Sequence, residues 1–361
     1  MIRALSLLLT ILLASPTWSA ELADHYGPGR IDVAETLVSP SGQGWTCVGA
    51  GQAQPQARSY ERESFNGATT VLRAVKDCPL LIHAQSSQFT LRSLSLDGSA
   101  TRGKAVGVHV YHRGDHNGAK GDIDRLSFRD FAVGVVIGAV DAKGRSEHGN
   151  DNARLSRCQW DRCGVAVRVI SAQSMHHRID DSFWRGGGVF LDVEAGGKVH
   201  VDDLDTSCRG TLLRVTGDGT KVGPNNGGFV IQGVTIDGSG DTLTLVEQTH
   251  PTATCQVVAK HFDWTTRLMG GKRPTCRATL TGRNARLSLR DHRNLPADTR
   301  LTLTEGAECV VESCDLLGNP FDLLSADSND CRLTVRNCVW ERGLGKGRFE
   351  RVAIDDLEVT R

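Results

Sequence analysis

What most constrains this chain is a six-residue pattern that keeps returning: an aliphatic residue, two variable ones, a small or apolar one, another variable one and a large apolar one. It reads "LRSLSL" from Leu91, "IDRLSF" from Ile123, "LSRCQW" from Leu155, "IDDSFW" from Ile179, "VDDLDT" from Val201 and "IQGVTI" from Ile231. It continues as "VVAKHF" from Val257, "VESCDL" from Val311, "VRNCVW" from Val335 and "IDDLEV" from Ile354, with "LTGRNA" from Leu280 as a degenerate member. Successive starts lie 19 to 32 residues apart. A repeat of that period is the mark of stacked units, each too small to bury its own apolar face.

Most units carry a second segment after a short turn: "VGVHV" (106–110), "VGVVI" (133–137), "VAVRV" (165–169), "VFLDV" (189–193), "TLLRV" (211–215) and "TLTLV" (242–246). These alternate with period two, as strands with one buried side do. No helical periodicity of useful length separates them, and two-residue Asn-Gly hairpin turns are scarce, which argues against an antiparallel sandwich. Glycine is abundant at 40 residues and aromatics make up 5%, which suits turns and a core of small aliphatic side chains. The expectation is an all-β, single-domain, right-handed parallel β-helix of about 11 coils.

The rung followed by a turn and Gly-Val-x-Val resembles the pectin-lyase-like superfamily across residues 88–361, with 30–87 similar to the opening coils behind an N-terminal cap. The resemblance implies the fold and a carbohydrate-directed role. The superfamily's Asn-Thr-Asp, Gly-His-Gly, Arg-Ile-Lys and Arg-x-Pro-x-x-Arg elements are absent, "LRDHRNLP" (289–296) having the wrong order, so no catalytic residue is carried over from it.

The first residues, "MIRALSLLLTILLASPTWSA", combine an early arginine, a short apolar run and small residues, the composition of a secretory signal peptide. The segments are therefore 1–20 signal peptide, 21–87 cap and first coils, and 88–361 β-helix. The expected location is secreted or periplasmic, without a membrane span. Forty-two basic against 42 acidic residues leave no net charge, which points away from nucleic acid and anionic membranes as partners. Eleven cysteines in such a chain read as disulfides with one left over. Cys158 and Cys163, Cys163 and Cys208, Cys314 and Cys338, Cys255 and Cys276, and Cys309 and Cys331 are the pairs the register allows, with thiol stacking as the other reading of Cys314 and Cys338.

With the valines inward, His109, Arg168, Asp192 and Arg214 point outward. Arg168 and Arg214 would hold a uronate carboxylate or a sulfate, Asp192 and His109 completing a catalytic set, His109 exchanging a proton near neutral pH. The glycine-containing loops 111–122 and 138–152 bring His112, Asp115, His116 and His148 as substrate-binding candidates. The turn pairs Asp180–Asp181 and Asp202–Asp203 could hold calcium, or serve only as tight-turn residues. The function expected is a polysaccharide lyase or glycoside hydrolase acting on an anionic glycan, as a monomer. The alternative is a non-catalytic glycan-binding or surface-attachment β-helix, or a protein-binding scaffold.

Overall fold

Aliphatic residues at every second position bury one side of a strand, and a turn at each end lets the next coil lie in register above it. The computed structural model describes residues 19–40, 44–50, 69–75, 77–85, 88–111, 120–139, 151–170, 176–185, 187–194, 197–207, 209–217, 227–237, 241–265, 275–326, 330–345 and 348–360. The chain is an all-β parallel β-helix, divided into two compact units, Met1–His177 and Arg178–Arg361.

Each coil contributes one strand to a front sheet and two short segments to a back sheet. In the first unit the front sheet stacks Leu80–Ala84, Val106–Val110, Val133–Ile137 and Val165–Val169 in parallel. In the second it stacks Val189–Val193, Gly210–Val215, Thr242–Gln248, Thr275–Thr281, Arg300–Thr304 and Leu324–Ala326. The strands expected from alternation at 106, 133, 165, 189, 211 and 242 all form, within a residue or two at their ends.

The back-sheet corner explains the repeat. Its third position adopts left-handed backbone in coil after coil: Ser93, Arg125 and Arg157 in the first unit, and Asp181, Asp203, Gly233, His261, Asp291, Ser313 and Asn337 in the second. A single left-handed residue turns the strand, so positions one, four and six all face inward. Leu155, Cys158 and Trp160 fill those places and are buried. This corner also corrects the register. The coil read from Val257 begins at Ala259 with its corner at His261, and the degenerate member at Leu280 gives way to "LRDHRN" from Leu289 with its corner at Asp291. "IDDLEV" is no coil: it lies in Arg348–Thr360, which runs antiparallel to Arg332–Gly345.

The glycines of "VGVHV" and "VGVVI" make room for aromatic rings. A Cβ on Gly107 would lie 3.1 Å from the Phe128 ring, and one on Gly134 would lie 2.7 Å from Cδ1 of Trp160. Phe128 and Trp160 stack at 5.8 Å above these gaps. In Thr242–Gln248 the front strand bulges beside Leu245, so Leu245 and Val246 are both buried while Glu247 remains outward.

The disulfide expectation is corrected: Cys47, Cys78, Cys158, Cys163, Cys255, Cys276, Cys309, Cys314, Cys331 and Cys338 are buried, unbridged thiols, and Cys208 lies outside the described residues. The register gives the reason. Cys255 pairs with Ala285 in the back sheet, whereas Cys276 pairs with Leu243 in the front sheet. Cys309 pairs with Leu333, two residues beyond Cys331. Cys158 donates to the Ser156 carbonyl at 3.4 Å and Cys163 to that of Asp161 at 3.7 Å. Cys314 and Cys338 do share the inward corner position, as thiols in contact, with the Cys314 N–H 3.4 Å from Cys338 Sγ.

Candidate functional site

The outward column of the first unit's front sheet runs His83, His109, Val136, Arg168. These residues point away from the core, as their alternation requires, yet His109 and Arg168 are buried, at 5% and 9% exposure. The His109 ring stacks on His83 at 5.1 Å and on Tyr111 at 6.0 Å, with Nε2 2.8 Å from the Gly138 carbonyl. A carbonyl partner makes that nitrogen the donor, and burial beside His83 pulls the His109 pKa down to about 3. His109 is therefore neutral at ordinary pH, and the expected proton exchange near neutrality is corrected. His112, Asp115, His116 and His148 lie outside the described residues.

Asp192 and Arg214 are neighbours in the second unit's front sheet. Asp192 is fully buried, and Arg214 grips it with two hydrogen bonds, Nε to Oδ1 and Nη2 to Oδ2, each 3.0 Å. That bond, with Glu247 and Glu194 nearby, raises the Arg214 pKa against its partial burial. The guanidinium fork expected to bind substrate is already occupied by a protein carboxylate. The next coil adds Glu247 in register with Arg214, extending the ladder beyond the residues recognised from sequence.

The four paired aspartates are corner residues. Asp181 and Asp203 are the exposed left-handed positions themselves, where Asp tolerates that backbone well. Asp180 and Asp202 face Arg178, at 3.5 and 3.4 Å. The Asp203 pKa is raised by partial burial and by the carboxylates of Asp181, Asp205 and Asp202. Among the described residues no group of three or more His, Cys, Asp or Glu side chains has the geometry to hold a metal ion, so the calcium expectation finds no cage here. His177 is the buried member of the His176–His177 pair, accepting the Ala153 N–H at 3.3 Å.

A different cluster lies open to solvent on the second unit's back sheet. His261, Phe262, Asp263, Asp291 and Arg293 line a hollow of about 330 Å³. His261 and Asp291 are the left-handed corners of neighbouring coils, so both side chains are thrown outward at the same height, with Nδ1 3.7 Å from Oδ2. Two residues further along, Asp263 and Arg293 are bridge partners across the same two coils. Phe262 closes the floor, stacked at 4.6 Å on buried His292, whose ring is held by Trp264 Nε1 at 3.4 Å and the Ala259 carbonyl at 3.0 Å. The site thus sets two carboxylates, an imidazole and a guanidinium on a rigid apolar floor. Sequence reading missed it because the coils at 257 and 280 were out of register. The signal available was polar residues at corner positions in "AKHFDW" and "LRDHRN".

No protein-family model matches the chain, and no curated protein sequence does. Among solved structures, a mutant DFA-IIIase from Arthrobacter chlorophenolicus A6 in complex with DFA-III is similar at 11% identity, covering 95% of this chain and 87% of that one, with a TM-score of 0.45. DFA-IIIase from the same organism in complex with GF2 has 10% identity, coverage of 90% and 88%, and a TM-score of 0.42. The pre-mature bacteriophage phi29 gene product 12 has 10% identity, coverage of 91% and 54%, and a TM-score of 0.38.

Proposed function

We propose that this protein is an exported carbohydrate-active enzyme that hydrolyses glycosidic bonds in an acidic polysaccharide, with the hollow around His261, Asp263, Asp291 and Arg293 as its active site. The observation that carries the reading is the presence of two solvent-facing carboxylates, an imidazole and a guanidinium in one open hollow. Asp263 and Asp291 lie on adjacent coils, Asp263 bridged to Arg293 and Asp291 beside His261. In this reading the two carboxylates of the hollow act as acid and base with water between them, as in inverting glycosidases. Asp291, beside His261, is the base that activates water, Asp263 protonates the leaving oxygen, and Arg293 binds a substrate carboxylate or sulfate.

The test is a reducing-end assay on pectin, alginate and glycosaminoglycans, run alongside absorbance near 235 nm. New reducing ends without ultraviolet absorbance, lost by at least a hundredfold in Asp263→Asn and Asp291→Asn, support hydrolysis. Absorbance at 235 nm would make it a lyase. Silence in both assays across the panel refutes the enzyme reading and leaves the glycan-binding or scaffold alternatives.

A further inference from the structure

On the front sheet of the second unit, Arg277 of Thr275–Thr281 and Arg300 of Arg300–Thr304 are directly opposite each other. Both are exposed. Like charges facing across adjacent strands, about 4.8 Å apart, destabilise a sheet. Elsewhere in this unit the same juxtaposition is mostly avoided: on the back sheet Arg286 faces Glu308 at 3.3 Å, Arg290 faces Glu312 at 3.3 Å, and these acids face Arg332 and Arg336 on the next coil. Among the described residues neither Arg277 nor Arg300 has a carboxylate partner; Arg300 donates only to the Thr299 carbonyl, at 2.8 Å.

The surroundings are hydroxyls. Thr244 precedes Arg277 in the same column, Thr279 faces Thr302 two residues along, and beyond them Thr304 and Thr281 bond each other at 2.9 Å. The two arginines thus stand one coil apart beside a strip of hydroxyls, and among the described residues no carboxylate pairs with either.

We propose that Arg277 and Arg300 form a docking site for a sulfated glycan, separate from the hollow around Asp263 and Asp291 and independent of any cleavage there. A sulfate ester offers three terminal oxygens, enough to take N–H donors from both forks and a hydroxyl from Thr279 or Thr302. A carboxylate, with two oxygens rather than three, presents fewer acceptors to two opposed forks than a sulfate ester does. The bound sulfate cancels the repulsion that the unoccupied pair suffers.

The experiment measures binding of fluorescein-labelled heparin oligosaccharides to the full chain by anisotropy, with unlabelled hyaluronan and dextran as competitors. The expectation is saturable heparin binding that weakens at least tenfold in the Arg277→Ala/Arg300→Ala double variant and several-fold in Arg277→Lys/Arg300→Lys, which keeps the charge but loses the forks. Binding is read without turnover, so a wild-type chain that cleaves nothing in the polysaccharide panel yet binds heparin more tightly than the double variant refutes the hydrolase reading and leaves this site standing. Equal binding by wild type and double variant overturns the site. Competition by hyaluronan, which carries uronate but no sulfate, at the level of unlabelled heparin overturns the sulfate assignment. Circular dichroism and cooperative urea unfolding with a midpoint no lower than that of the wild type establish that the variants fold.

Discussion

The Asp192–Arg214 pair predicts an asymmetric response to removing either partner. Asp192 has no exposed surface, and both of its oxygens accept a guanidinium hydrogen at 3.0 Å. Arg214 keeps 32% of its side chain exposed and has Glu247 in register on its other side. Breaking a buried pair by deleting one partner costs about 3–5 kcal/mol because the other charge is left uncompensated. In Asp192→Ala the stranded group is Arg214, which can turn toward water and Glu247, so the loss should fall at or below the bottom of that range, about 2–3 kcal/mol. In Arg214→Met the group that loses its fork is a carboxylate with no exposed surface, so the loss should be the larger of the two, about 3–4 kcal/mol. Replacing both, as Asp192→Ala/Arg214→Met, removes both charges of the pair and should lie within about 2 kcal/mol of wild type. Urea unfolding followed by circular dichroism gives all three values, and the cycle should return a coupling of at least about 3 kcal/mol. Coupling below about 0.5 kcal/mol, or Asp192→Ala proving worse than Arg214→Met, would refute the reasoning from burial.

Other consequences follow from packing and protonation. Gly134→Ala drives a methyl toward Cδ1 and Nε1 of Trp160 and the Ala166 carbonyl, all within 2.8 Å. It should cost about 1–3 kcal/mol in urea unfolding, and a neutral result would mean the Phe128–Trp160 stack is looser than described. His109 and His177 have folded pKa values lowered to about 3 by burial, against 6.5 for the free side chain. The unfolded chain therefore takes up protons first, so their stabilising contribution is full above about pH 6.5 and is lost as pH falls toward 3. A urea midpoint that stays flat or rises between pH 7 and pH 5 would contradict this. Burial pushes the thiol pKa of Cys47, Cys163 and Cys255 up to about 12 and that of Cys78 to about 11. These thiols should resist alkylation in native protein and react fully in 6 M guanidinium without reductant; thiols still protected after denaturation would reveal disulfides.

The repeat was legible because burial repeats with it. "LSRCQW" and "VAVRV" each declare an inward face, and stacking follows because one coil cannot bury that face alone. What alternation could not convey was phase wherever a coil lacks bulky residues at all three inward places. Ala259 and His292 occupy core positions that read as polar or weak, so the corners at His261 and Asp291 were displaced, and the hollow with them. Nor does outward direction mean exposure. His109, Arg168 and Asp192 leave their strands on the solvent side by parity and are buried nonetheless.

The sequence by itself determined the parallel β-helix, the front strands and the inward rungs, since these depend on residue type at a fixed local period. The tertiary structure alone decided which charges are spent on one another and which are left open. Arg214 is closed on Asp192, whereas Arg277 faces Arg300 and the carboxylates of Asp263 and Asp291 meet in an open hollow. Those outcomes depend on which residue lies one coil above, at sequence separations of 22 to 28 residues set by loop length, and no local pattern records that distance.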